Sequence, residues 1–165
     1  MVYSLLTHST SFICKYNSTV YLFVNTKEKF KSGCINPTIV LDKNRSLLAV
    51  FTSLTTSGTI SFPVIKIYKE KLNLINKVQL ENGTKLGSIA LYSRPANEPY
   101  PAAWADFHPQ VPNCFTDDYN KCEKIIESIK KEAWEALFLG IQQIEKIEEG
   151  LYKVELDNDL VQNAY

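Results

Sequence analysis

The run IVLDKNRSLLAVFTSLTTSGTISFPVIKIY, Ile39 to Tyr68, constrains this chain more than any other part of it. Within it, β-branched and aromatic residues alternate with polar ones, and two polar clusters break the run. That is the pattern of three consecutive strands on two turns. In the last of the three, Ile60, Phe62, Val64 and Lys66 fall on one face, and Ser61, Pro63, Ile65 and Ile67 on the other. Both faces turn apolar toward the end, as expected of a strand inside a curled sheet or small barrel. Pro63 has no N–H for a ladder and therefore belongs at an edge or a bulge.

The same criteria place further strands at Ser11 to Tyr16, Thr19 to Val24, Leu74 to Leu80 and Leu86 to Tyr92. Ser93 to Pro101 carries three prolines and breaks regular structure. Trp104, Phe107 and Phe115 follow in an expected ordered loop, 94–117, either packed over the sheet or covering a substrate. From about Asp118 to Glu148 the period changes. Cys122, Ile126, Ile129, Ala133, Leu137, Ile141 and Ile144 recur at three- and four-residue steps, which predicts an amphipathic helix. The acidic TDD run supplies N-cap candidates, Gly150 a stop, and Gly140 a point where the helix can bend or break. A short strand, Leu151 to Leu156, and a tail, 157–165, complete the reading. The expectation is one α+β domain over 1–165: a curled antiparallel β-sheet or small β-barrel with one long C-terminal helix, strand-rich over 1–93.

Charge and motif content narrow the function. Eighteen Lys and Arg balance eighteen Asp and Glu, so no global field draws in a polyanion or a membrane surface. The runs TVYLFV and SLLAVF are far shorter than the roughly 20 residues of a bilayer-spanning helix. The first residues, MVYSLLTHST, lack the features of a secretory signal. The expected compartment is the cytoplasm, where Cys14, Cys34, Cys114 and Cys122 are free thiols and the sequons at Asn17, Asn44 and Asn82 have no consequence. His108, Cys114 and Cys122 are the one near-miss for zinc, but their spacing matches no usual ligand set. Asp106 beside His108 is the sole carboxylate–imidazole proximity, and no Gly-x-Ser-x-Gly elbow accompanies it. Neither SGCIN nor NGTKLG has the spacing of a phosphate-binding loop. No cofactor or metal is expected.

The stretch NPTIVLDKNRSLLAVFTSLTTSGTISFPVIKI resembles the core of the MazF/PemK toxin superfamily, which includes the ToxN-like endoribonucleases. There a strand of the Arg-Pro-x-x-Val-Leu kind precedes one ending in Thr-Ser, followed by a loop and a third strand with a Pro-x-x-Val flavour. The matching elements here are Asn36-Pro37 with Ile39 to Leu41, LLAVFTS ending at Thr52-Ser53, and FPVIKI. The resemblance implies metal-independent RNA cleavage, with the hydroxyls of Thr52 and Ser53 on the scissile phosphate. Attack by the neighbouring 2′-hydroxyl would leave DNA untouched. Asn36 stands where the family carries an arginine, so Lys29, Lys31 or Arg45 would have to supply the cation. The competing expectation is a non-catalytic binding protein, such as an immunity or inhibitor protein acting on a cognate toxin. Its support is the incomplete catalytic set, the zero net charge and nine tyrosines. Burial of Thr52 and Ser53 beneath the Trp104 loop favours binding; an exposed, cation-flanked position favours the nuclease.

Overall fold

The computed structural model describes residues 33–56, 60–75, 79–97 and 102–165. The expected strands at Ser11 to Tyr16 and Thr19 to Val24, with Cys14, Asn17, Lys29 and Lys31, lie outside the described residues. Residues 34–165 form a compact unit of the α+β class, built on a curled antiparallel sheet. Its strands are β1 (Cys34–Asp42), β2 (Leu47–Ser53), β3 (Pro63–Lys69), β4 (Lys85–Ser93), β5 (Asp106–Gln110) and β6 (Gly150–Lys153), in the spatial order β5-β4-β1-β2-β3-β6.

The Ile39 to Tyr68 run folds as its alternation dictates. Val50 lies opposite Thr38 on one side and Lys66 on the other, and Ser53 opposite Pro63. Pro63 opens β3, a position a residue without an N–H tolerates. The turn between β1 and β2 closes on Asp42, whose carboxylate accepts from the Arg45 N–H at 3.0 Å, with Ser46 in the left-handed region at φ 57°. Two expectations change here. The described part of Leu74 to Leu80 is not strand: Leu72–Leu74 is a single 3-10 turn, whose Leu72 joins Val40, Leu48 and Leu86 in an apolar cluster. Conversely, part of the supposed 94–117 loop is β5, paired along β4 from Ile89–Gln110 to Ser93–Asp106. Pro109 suits β5 because, among the described residues, this strand has a sheet neighbour on one side alone.

Alternation sorts the two faces of the sheet. Ile39, Leu47, Ala49, Phe51, Ile65 and Ile67 meet the helices. Phe51, fully buried, contributes about 2–3 kcal/mol of apolar burial at this interface. The expected long helix is realised as α1 (Tyr119–Glu127) and α2 (Lys131–Gln142). The break falls at Ser128 to Lys130 rather than at Gly140. Ser128 Oγ donates back to the Ile125 carbonyl at 2.7 Å, and Lys130 is extended at ψ 153°. Asp118 caps α1, accepting from the Lys121 N–H at 3.2 Å. Gly150 begins β6, which pairs with β3 as the expected final strand. The supposed tail is helix α3 (Asn158–Asn163), capped by Asp157 and held to the core by Val161 and Ala164. Asp157 and Asp159 thus serve a helix start, where carboxylates complement the dipole.

Close approach, rather than flexibility, explains Gly140. A Cβ there would lie 2.9 Å from two carbons of the fully buried Ile65 side chain. Gly to Ala inside a helix ordinarily stabilises by about 1 kcal/mol. Here overpacking outweighs that gain, and Gly140→Ala should lower the unfolding free energy by about 1–2 kcal/mol. Urea denaturation checks this; a raised midpoint would contradict the close approach of α2 to β3.

Candidate functional site

On the face of the sheet opposite the helices, Leu48, Val50 and Thr52 of β2 point into the curl beside Asn36, Thr38 and Val40 of β1 and Val64, Lys66 and Tyr68 of β3. The register places Thr52 next to Asn36, and Asn36 next to Ser88 of β4. All three polar side chains are fully buried, so each must be satisfied internally or cost free energy. Thr52 Oγ1 shares a hydrogen bond of 2.6 Å with the Tyr92 hydroxyl. Tyr92 also reaches Asn36 Oδ1 at 3.4 Å, and Asn36 Nδ2 donates to the Cys34 carbonyl at 3.1 Å. A second phenol arrives from the end of α3. The Tyr165 hydroxyl donates to Asn36 Oδ1 at 3.4 Å, and its ring stacks on Phe51.

Tyr92 is in turn covered. Its ring lies 6.0 Å from that of Trp104 and 6.0 Å from that of Phe107. Arg94 stands over Trp104 at 5.7 Å, and Lys66 over Phe107 at 5.4 Å. The row runs from an exposed guanidinium through three aromatic rings to an ammonium inside the curl. Lys66 Nζ donates to both Asp106 oxygens at 2.9 Å and to the Phe107 carbonyl at 2.6 Å. Asp106 Oδ1 also accepts from the Phe107 N–H at 2.7 Å. The Asp106 carboxylate is thereby committed to Lys66 and the main chain, while His108 sits exposed further along β5.

Of the expected site residues, Lys29 and Lys31 lie outside the described residues. Thr52 is fully buried beneath Tyr92. Ser53 is half-buried, on the opposite face of β2, and shares a 2.7 Å bond with the Thr55 hydroxyl. Arg45 lies at the other end of β2, roughly 20 Å away along the strand; it donates to the Ile147 carbonyl at 3.1 Å and pairs weakly with Asp42 at 4.0 Å. The structure therefore does not bring Arg45 to Thr52. Lys66 and Asp106, which organise this region, were not among the expected site residues. The signal for Lys66 was its position on an otherwise apolar strand face. Among the described residues, no group of three or more His, Cys, Asp or Glu side chains could hold a metal ion, and Cys34, Cys114 and Cys122 are free thiols.

This arrangement defines a curled-sheet α+β protein whose inner face is closed by aromatic packing and the partly solvated Lys66–Asp106 ion pair. A family model described as a protein of unknown function (DUF3239) matches residues 23–145, and the chain belongs to that family. No curated protein matches the sequence. Among solved structures, the crystal structure of a "putative membrane protein" from Corynebacterium diphtheriae is similar over 73% of this chain and 100% of that one, with a TM-score of 0.54 and 13% identity. That likeness concerns the fold. Among the described residues, no helix is long and apolar enough to cross a membrane.

Two outcomes follow from this geometry. Asp106→Asn leaves the Lys66 ammonium without its anion. With both groups partly solvated, the loss should be about 1–2 kcal/mol, and a double-mutant cycle with Lys66→Met should show coupling. Zero coupling by chemical denaturation would dismiss the pair as incidental. The second outcome concerns pH. Burial pushes the Tyr92 phenol up to about 12, against the pull of its bond to Thr52. The folded state thus holds this proton above pH 10, where the unfolded chain releases it. The contribution is fully present below about pH 10 and disappears as pH rises toward 12, by up to about 1.4 kcal/mol per pH unit. Burial also raises the Tyr68 and Tyr165 phenols, so the Tyr92 share is read by difference. Tyr92→Phe should flatten the alkaline slope, and an unchanged slope would show that Tyr92 titrates freely.

Proposed function

We propose that this chain is a cytoplasmic partner-binding protein without catalytic activity, and that its partner is a protein, such as a cognate toxin held inactive. One observation carries the reading: the Thr52 hydroxyl, on which the ribonuclease alternative depends, is fully buried and bonded to Tyr92. A phosphate could not meet it without displacing that bond. The companion hydroxyl of Ser53 points to the opposite face of the strand and is bonded to Thr55. The Lys66 ammonium, inside the curl, is already neutralised by Asp106. Three free thiols among the described residues suit a reducing compartment. The partner reading also draws on large apolar side chains left on the surface, with Ile60 at 70% and Phe115 at 50% of full exposure.

The test is incubation of the purified protein with total RNA in excess EDTA, with mapping of any new ends. The expected result is intact RNA, for the wild type and for the Thr52→Ala, Ser53→Ala double variant alike. Discrete cuts ending in cyclic phosphate, present in the wild type and absent from the double variant, would overturn the partner-binding reading in favour of a ribonuclease.

A further inference from the structure

We infer that residues 102–105 form a strap that opens as one unit, hinged at Asp106 where β5 begins, and that its opening uncovers Tyr92 and Thr52. The inference goes beyond the partner-binding reading and does not depend on it.

The attachments of the strap are few and local. The Trp104 N–H donates to the Leu54 carbonyl at 2.7 Å, the Thr56 N–H to the Ala102 carbonyl at 3.2 Å, and the Ala105 N–H to the Ser93 carbonyl at 2.9 Å. Thr55 and Ala103 form an isolated antiparallel bridge. At the hinge, Asp106 is held by its ladder pairing with Ser93, by the Ser93 Oγ donating to its carbonyl at 3.3 Å, and by its ion pair with Lys66. None of the four side chains is buried: Ala102 and Ala105 are exposed, and Ala103 and Trp104 are half-buried where they touch the rim of the Leu54 and Phe107 cluster.

Beyond the hinge, the character of the chain changes abruptly. Phe107 and Val111 are fully buried, and the ladder with β4 anchors the backbone between them. A segment fixed by a few peripheral bonds, joined to one fixed by core burial, is the arrangement that opens below the free energy of global unfolding. What it covers is specific. Trp104 packs on Tyr92, and Tyr92 seals Thr52. With the strap lifted, Tyr92 keeps Phe107 on one side but loses Trp104 on the other, so its phenol can swing toward solvent and release the Thr52 hydroxyl it covers.

Native-state hydrogen exchange on the unmodified protein tests the first half. The Trp104, Thr56 and Ala105 amides should exchange with one common opening constant, about 100-fold or more larger than that of the Val50 and Ile65 amides. Asp106→Asn should raise the exchange of the three strap amides about tenfold or more relative to Val50. Exchange of the strap amides at the core rate, or with three unrelated constants, would overturn the proposal. For the second half, Thr52→Cys is exposed to a thiol reagent and modification is followed on the peptide carrying residue 52. Modification should track the opening constant of the Trp104 amide. Modification only at the rate of global unfolding would show that the strap does not gate Thr52.

Discussion

The ammonium of a lysine on the inner face of a curled sheet is met here by a single carboxylate brought in from a distant strand. Lys66 stands on β3 and Asp106 on β5, strands separated in the sheet by β2, β1 and β4. Four strand spacings in a flat sheet would hold them roughly 19 Å apart, yet their charged atoms lie 2.9 Å from each other. The contact and the curl are therefore one fact. Drawing β5 toward β3 lets Phe107 close on Val50, Val64 and Ala90. It also brings Trp104 beside Leu54 and makes an enclosed layer out of what would otherwise be an open apolar face.

That closure decides the chemistry of the neighbouring polar groups. Thr52, Asn36 and Ser88 form a buried row across three strands; Thr52 and Asn36 find partners within the protein, whereas the Ser88 hydroxyl has no hydrogen-bond partner among the described residues. Two tyrosines converge on this row, Tyr92 from within the curl and Tyr165 from the end of α3. The same hydroxyl that would polarise a phosphate on an open edge here holds β2 to β4 through a phenol. A structural role for Thr52 and a surface suited to protein contact are two sides of the partner-binding proposal.

Local periodicity made much of this legible in advance. The alternation from Ile39 to Tyr68 marked three consecutive strands, and the three- and four-residue spacing through Ala133 and Leu137 marked the buried stripe of α2. Asp157 followed by Leu160, Val161 and Ala164 carried the signature of a capped helix, obscured by the shortness of the segment. The β5 strand was hidden for a different reason: the prolines around it, Pro109 included, signal broken structure unless the strand is known to lie at an edge. The pairing of Lys66 with Asp106 was out of reach, because they lie 40 positions apart and no local pattern records how tightly a sheet curls. The position of the helix break depended likewise on a single serine back-bond at Ser128.

The central claim is that the sheet curls far enough for β3 and β5 to touch. Nuclear Overhauser spectroscopy tests it most directly, through contacts between the Lys66 ε-methylene and the Phe107 ring protons. The account predicts strong cross-peaks, with the Lys66 methylene shifted upfield by the ring beneath it. Their absence, with β4–β5 and β2–β3 cross-strand contacts intact, would mean an open sheet and an exposed Thr52, contradicting the closure on which the proposed function rests.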